Sequence, residues 1–236
     1  MKVLHVIDSF SFGGAERLLA TLNEHAAAEG LELRVASLAP RTPERTASLS
    51  VLEQAGLDPS FVGVRRLTDP LALTRLRRAI RESGCDVVHA HLGYSAVLVP
   101  LAARTLGVPC ISTLHHVPTP DVSRGDRVKE WLWTRSAERG AALVFVSEAA
   151  RDAAAAMVGP AKPTWQVLHN GVDLTRLAPP PAGNRPALPA DLGIPAGTPV
   201  VSVVAALREP KGHEVALRVW PEVRAAVPGA VLLVVG

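Results

Sequence analysis

KVLHVIDSFSFGGAERLLA, residues 2–20, decides the fold. Val3 to Ile7 is a short apolar run that stops at Asp8; Gly13 and Gly14 follow, and from Ala15 the residues have helical composition. A strand running through a glycine loop into a helix is the opening of a βαβ unit. Its loop amides and helix N-terminus face whatever binds beyond the strand's carboxyl end. The dehydrogenase form of that loop is excluded: GxGxxG is absent, and the next apolar run ends Ala36-Ser37-Leu38 without the acid that would hold a ribose.

The same alternation continues outward. Apolar runs at 33–38, 61–64, 86–91, 110–116 and 142–147 are separated by stretches of helical composition at 15–29, 70–83, 95–106 and 126–139. Near-continuous hydrophobicity is what strands buried on both faces require. The pattern predicts an α/β fold, a doubly wound, Rossmann-like parallel sheet over residues 1–177. Prolines then crowd residues 178–198, which read as a semi-rigid linker because each proline fixes φ and removes an amide donor. From residue 199 one strand–helix–strand unit resumes, with strands at 200–207 and 231–235 around a helix at 212–226. One such unit does not complete a doubly wound sheet, so the expectation is a truncated second Rossmann-like domain.

Composition narrows the function classes. At 236 residues, 48% apolar and 20% charged, the chain reads as an ordinary globular protein. The net charge of +3 is scattered among Lys and Arg beside acids, which argues against a nucleic-acid partner. No apolar run approaches the roughly 18 residues that span a bilayer, and Asp8 arrives too early for a signal peptide, so the expected location is cytoplasmic. Cys85 and Cys110 stand at strand starts without partners at metal-ligand spacing and are expected to be reduced core residues.

Five places at strand ends carry candidate chemistry. Gly13 and Gly14 would let backbone amides approach an anion, or form a plain strand-to-helix turn. His89 and His91 share one face of their strand, whereas His115 and His116 point to opposite faces. Such imidazoles hydrogen-bond sugar hydroxyls or phosphate, transfer protons, or serve as satisfied structural groups. No carboxylate or thiolate joins them at a familiar spacing, so no metal is expected. Asn170-Gly171 is a turn signal, and Asp173 can cap the segment after it, which suggests a hinge. Arg208 and Lys211, before Gly212 and a new helix, suggest a diphosphate cradle or solvated loop charges.

The ordered set FGGAERLL, VVHAH, TLH, VFVSEAAR, HNGVD and LREPKGHE resembles glycosyltransferase family 4, retaining enzymes of the GT-B fold. The resemblance covers essentially the whole chain, with VFVSEAAR matched as a strand. It implies an acceptor-side N-terminal domain, a C-terminal domain that grips a nucleotide-sugar donor, and transfer to a glycan or lipid-linked acceptor with no metal or other cofactor. Gly13, Gly14, Lys211 and Arg208 match the donor diphosphate contacts, and His115 matches the histidine near the reacting sugar. His89, His91 and Glu16 fall on the acceptor side, and Asn170, Gly171 and Asp173 at the hinge. Ala206 stands where the family usually has an arginine, so Arg208 would supply that charge. The glutamates that bind the donor sugar and ribose in this family have no counterpart among the 236 residues. The expectation is therefore that this stretch alone is inactive. Many relatives meet lipid-linked acceptors at a membrane surface, which would make membrane contact peripheral. A non-catalytic acceptor-binding module and a GT-B nucleotide-sugar epimerase are the competing readings.

Overall fold

A computed structural model describes residues 1–11, 13–91, 93–118, 123–174, 177–178, 188–208 and 211–236. Phe12 of the glycine loop, Glu209 and Pro210 of the lysine loop, and most of the proline-rich stretch lie outside the described residues. The chain divides into two compact units, Met1–Leu177 and Ala178–Gly236. No described helix is long and apolar enough to cross a membrane.

In the first unit, β1 (Lys2–Ile7), β2 (Glu32–Ser37), β3 (Pro59–Phe61), β4 (Val87–His91), β5 (Cys110–Leu114), β6 (Ala142–Phe145) and β7 (Trp165–Val167) form one sheet in the order β3-β2-β1-β4-β5-β6-β7. Every pairing is parallel. Right-handed crossovers therefore place α1 (Gly14–Ala26) and α2 (Leu49–Gln54) on one face. They place α3 (Ala72–Ser83), α4 (Gly93–Arg104), α5 (Arg124–Ala137) and α6 (Glu148–Val158) on the other.

Packing follows the two-residue alternation of each strand. Leu4, Val6, Val88 and Ala90 bury against Leu76 and Ile80 of α3 and Val99 and Ala102 of α4. On the opposite side Ile7 and Val35 pack with Phe10, Leu19 of α1 and Leu52 of α2. Leu114, Leu143, Phe145 and Trp165 meet the small residues Ala137, Ala150 and Ala154 of α5 and α6. Cys110 is buried and Cys85 half-buried, both as free thiols, and burial pushes the Cys110 thiol up to about 12.

Three local expectations are corrected. VFVSEAAR is not one strand: β6 stops at Phe145, and the Ser147 hydroxyl accepts the Ala150 amide at 3.2 Å, capping the alanine-rich α6. Leu49–Gln54 and Trp165–Val167 add an element each that composition did not disclose, because both are short and gain their burial from tertiary neighbours. The expected Asn170-Gly171 turn does not form: residues 168–173 carry no turn.

In the second unit β8 (Val200–Val204) pairs in parallel with β9 (Val231–Val235) across α7 (His213–Ala226). β8 ends three residues before the expected Leu207, because the chain turns where the Arg208 amide donates to the Ala206 carbonyl. Ala230 is the only buried hydrophobic among this unit's described residues.

Candidate functional site

Strand order reverses between β1 and β4, so the carboxyl ends of these strands flank the crevice where open α/β sheets bind ligands. Asp8 follows β1 directly. Its carboxylate accepts the backbone amides of Tyr94 at 3.1 Å and Ser95 at 2.7 Å, together with the Ser95 hydroxyl. The loop after β1 therefore caps α4, an element more than eighty residues away. Burial raises the Asp8 carboxyl above its ordinary value, and the Ser95, Tyr94 and Gly93 contacts oppose that rise.

Gly13 precedes α1 in extended conformation, at φ −160° and ψ 173°. A Cβ there would stand 2.7 Å from the Glu16 carboxylate oxygen, which folds back over the helix start. Glu16 is buried, and burial pushes its carboxyl up to about 7 against the opposing pull of its own backbone amide. The glycine loop thus differs from a bare anion cradle, because an acidic side chain already sits beside Gly13. Gly14 faces open space, with nothing within 4 Å of the position a Cβ would take.

The histidines form a connected group. His91 is buried, with Nε2 at 2.9 Å from His5 Nδ1 and Nδ1 at 3.0 Å from His115 Nε2. His89 Nε2 lies 2.7 Å from Thr113 Oγ1. Parallel register sets His5 opposite His89 and Ile7 opposite His91, which brings a residue of β1 into the cluster. Both ring nitrogens of His91 are committed, so it reaches a ligand only through His115. His116 turns the other way: its Nε2 is 2.6 Å from Glu130 Oε2, and its ring meets Trp133 edge-on at 5.8 Å. Burial holds His5 and His115 down to about 4, the His116 charge assisting at His115, and keeps His89 and His91 well below their ordinary value. All four are neutral at pH 7.

His5, His89 and His91 each offer a nitrogen within 4.8 Å of the others, the group of described residues with the capacity to hold a metal ion. Two nitrogens on one tetrahedral zinc stand about 3.3 Å apart at ordinary bond lengths. The closer 2.9 Å between His5 and His91 is hydrogen-bond spacing.

A cavity of about 540 Å³ opens beside Asp8, walled by Ser11, Arg45, Arg65, Arg66 and Tyr94. A second, of about 580 Å³, runs along α1 from Gly14 and Arg17 to Asn170, Gly171 and Asp173. The expected hinge residues therefore lie beside the first turns of α1. Arg208 and Lys211 belong to the second unit, where both are exposed and the Lys211 amide donates to the Arg208 carbonyl at 2.9 Å. Gly212 then takes φ +71° immediately before α7, a conformation that favours glycine.

Sequence reasoning did not find His5, the Asp8–Ser95 link or the arginine-walled cavity. The signal for His5 was its place on the face of Ile7, two residues before the strand end. What it meets there depends on which strand pairs with β1.

Comparison with known proteins gives four matches. Residues 12–176 match the profile of Glycosyltransferase Family 4. Alpha-maltose-1-phosphate synthase from Mycolicibacterium smegmatis is 29% identical over 162 residues, 66% of this chain and 42% of that protein. Among solved structures, Anabaena HepE in complex with UDP and glucose matches at 18% identity and TM-score 0.74, covering 99% of this chain and 60% of HepE. UDP-GlcNAc 2-epimerase from Neisseria meningitidis bound to UDP-GlcNAc matches at 13% identity and TM-score 0.62, over 99% of this chain and 65% of the epimerase. The chain thus spans less than two-thirds of the length of these relatives.

Proposed function

Because the chain belongs to glycosyltransferase family 4, we propose that the protein in its full length moves a sugar, with retention, from a nucleotide-sugar donor to a hydroxyl of a glycan or lipid-linked acceptor. The observation that carries this reading is the make-up of the β1/β4 switch. There an open glycine, Gly14, follows β1, and a half-buried neutral imidazole, His115, follows the neighbouring β5 and bonds to His91 at the end of β4.

In this reading the acceptor enters the cavity beside Asp8, where Arg45, Arg65 and Arg66 supply donors to its oxygens. Within the second unit, Lys211 and Arg208 supply cations suited to a donor diphosphate, and within the first the Gly14 backbone is open to an anion. Negative charge grows on the leaving diphosphate as the bond to the sugar breaks, so fixed amides and cations stabilise the transition state more than the ground state. A covalent glycosyl-enzyme route has little support. Asp8 is held by the α4 amides and Glu16 folds over its own helix start, so neither carboxylate at the rim is presented as a nucleophile. Neither the chemistry nor the residues named call for a metal. The acceptor would be met in the cytoplasm, lipid-linked ones at the membrane surface.

The test is to incubate the full-length protein with a panel of labelled nucleotide-sugars and candidate acceptors. Release of nucleoside diphosphate with an acceptor-bound sugar of unchanged anomeric configuration is expected. An epimerised nucleotide-sugar without acceptor product would replace this reading with the epimerase, and binding without turnover would replace it with an acceptor-binding module.

A further inference from the structure

His5, His91 and His115 form one hydrogen-bonded line from β1 through β4 to the rim beyond β5. A neutral imidazole has one N–H and one lone pair, so the protons on such a line are not independent. Only two arrangements make both hydrogen bonds. In the first, all three rings carry the proton on Nδ1: His5 donates to His91, His91 donates to His115, and the His115 Nδ1–H is left at the rim. In the second, all three carry it on Nε2. Both donations then reverse, and the unpaired N–H is at His5 Nε2.

His5 Nε2 decides between them. It is buried in the sheet and finds no hydrogen-bond partner among the described residues. A buried N–H without an acceptor is rarer in folded proteins than a buried acceptor left unpaired. The first arrangement leaves only a lone pair at that atom and sends the free N–H to half-buried His115, where an oxygen can accept it. His89 is bonded to Thr113 and stands off the line.

We propose that His5 is a positioning residue: by donating from Nδ1 to His91 it sets the tautomers of His91 and His115, so that His115 presents Nδ1–H to its ligand as a hydrogen-bond donor. His115 then cannot act as a base through that nitrogen. It is matched to an oxygen that gains negative charge. That ligand role rests on the transferase reading, whereas the tautomers do not.

The experiment labels the histidines of the 236-residue chain with ¹⁵N and records long-range ¹H–¹⁵N correlations at neutral pH, with single substitutions to assign the rings. His5, His91 and His115 should each show a protonated Nδ1 and a bare Nε2. His5→Asn, whose amide can donate from nearly the same place, should preserve the His91 and His115 patterns. His5→Leu should lose the fixed pattern and leave His115 as a mixture of tautomers. A protonated Nε2 on His115 in the parent overturns the proposal, and so does an unaltered His115 pattern in a folded His5→Leu. Should His5→Leu not fold, the parent spectrum and His5→Asn still decide. Correct tautomers in a full-length protein that transfers no sugar would count against the transferase reading and leave the relay standing.

Discussion

The carboxylate of Asp8, at the end of β1, accepts the backbone amide of Ser95 in the first turn of α4 at 2.7 Å. This contact fastens the two elements on either side of the topological switch, and with the Tyr94 amide it satisfies donors that a helix start otherwise leaves to water.

Asp8→Ala should therefore lower stability by about 1–3 kcal/mol, the range of a lost cap with charge-assisted bonds. Asp8→Asn keeps one acceptor oxygen and should lose less. Urea midpoints of the two variants against the parent measure this; equal midpoints for Asp8→Ala and the parent would show that the contact contributes nothing to stability.

Opposed titrations should flatten the pH dependence of stability. His5 and His115, held to about 4 against 6.5, mean that the unfolded chain binds more protons between those values, so stability falls as pH drops through that window. Glu16, raised from 4.5 to about 7, works the other way: the folded chain holds the extra proton, and stability falls as pH rises through that window. Glu16→Gln removes the second slope. Its stability should then fall on acidification by about 1.4 kcal/mol per pH unit for each fully titrating histidine, a steeper decline than the parent's. Denaturation midpoints from pH 4.5 to 8 in both proteins test this, and parallel profiles would contradict it.

Gly93 opens α4 against the indole of Trp133, where a Cβ would come within 2.5 Å of the ring. Gly93→Ala should displace Trp133 and cost about 1–3 kcal/mol, as overpacking does. The same ring meets His116 and Tyr94 edge-on, so tryptophan fluorescence should shift with the stability. An unchanged spectrum and midpoint would mean that the two helices part without strain.

Lys211→Ala in the full-length protein should weaken nucleoside diphosphate binding by about ten- to a hundredfold, the equivalent of one charge-assisted contact. Lys211 is exposed and supports no core, so the fold should be unaffected. Calorimetric titration with the diphosphate gives the answer, and unchanged affinity would remove Lys211 from the proposed cradle.

Much of the fold was legible because its signals are local. The runs at 2–7, 33–38, 86–91, 110–116 and 142–147 each overlap an observed strand, since a strand buried on both faces must be apolar along its own length. The short β7 and α2 were not legible, because three to six residues hold too few periods to announce an element. At the site, the shared face of His89 and His91 followed from the strand period alone, whereas His115 and His116 diverge just beyond the end of β5. That His91 is sealed between two other imidazoles did not.

The sequence by itself determined the alternation of strands and helices, the family, and the placing of the glycine loop and histidines at strand ends. The reason is that each depends on residues close together along the chain. Only the tertiary structure decided that β4 lies beside β1, which sets His5 opposite His89, joins His5 to His115 through His91, and brings the α4 amides to Asp8. Strand order comes from crossover direction and from burial shared between distant segments. No window of sequence contains both partners of a contact made more than eighty residues apart.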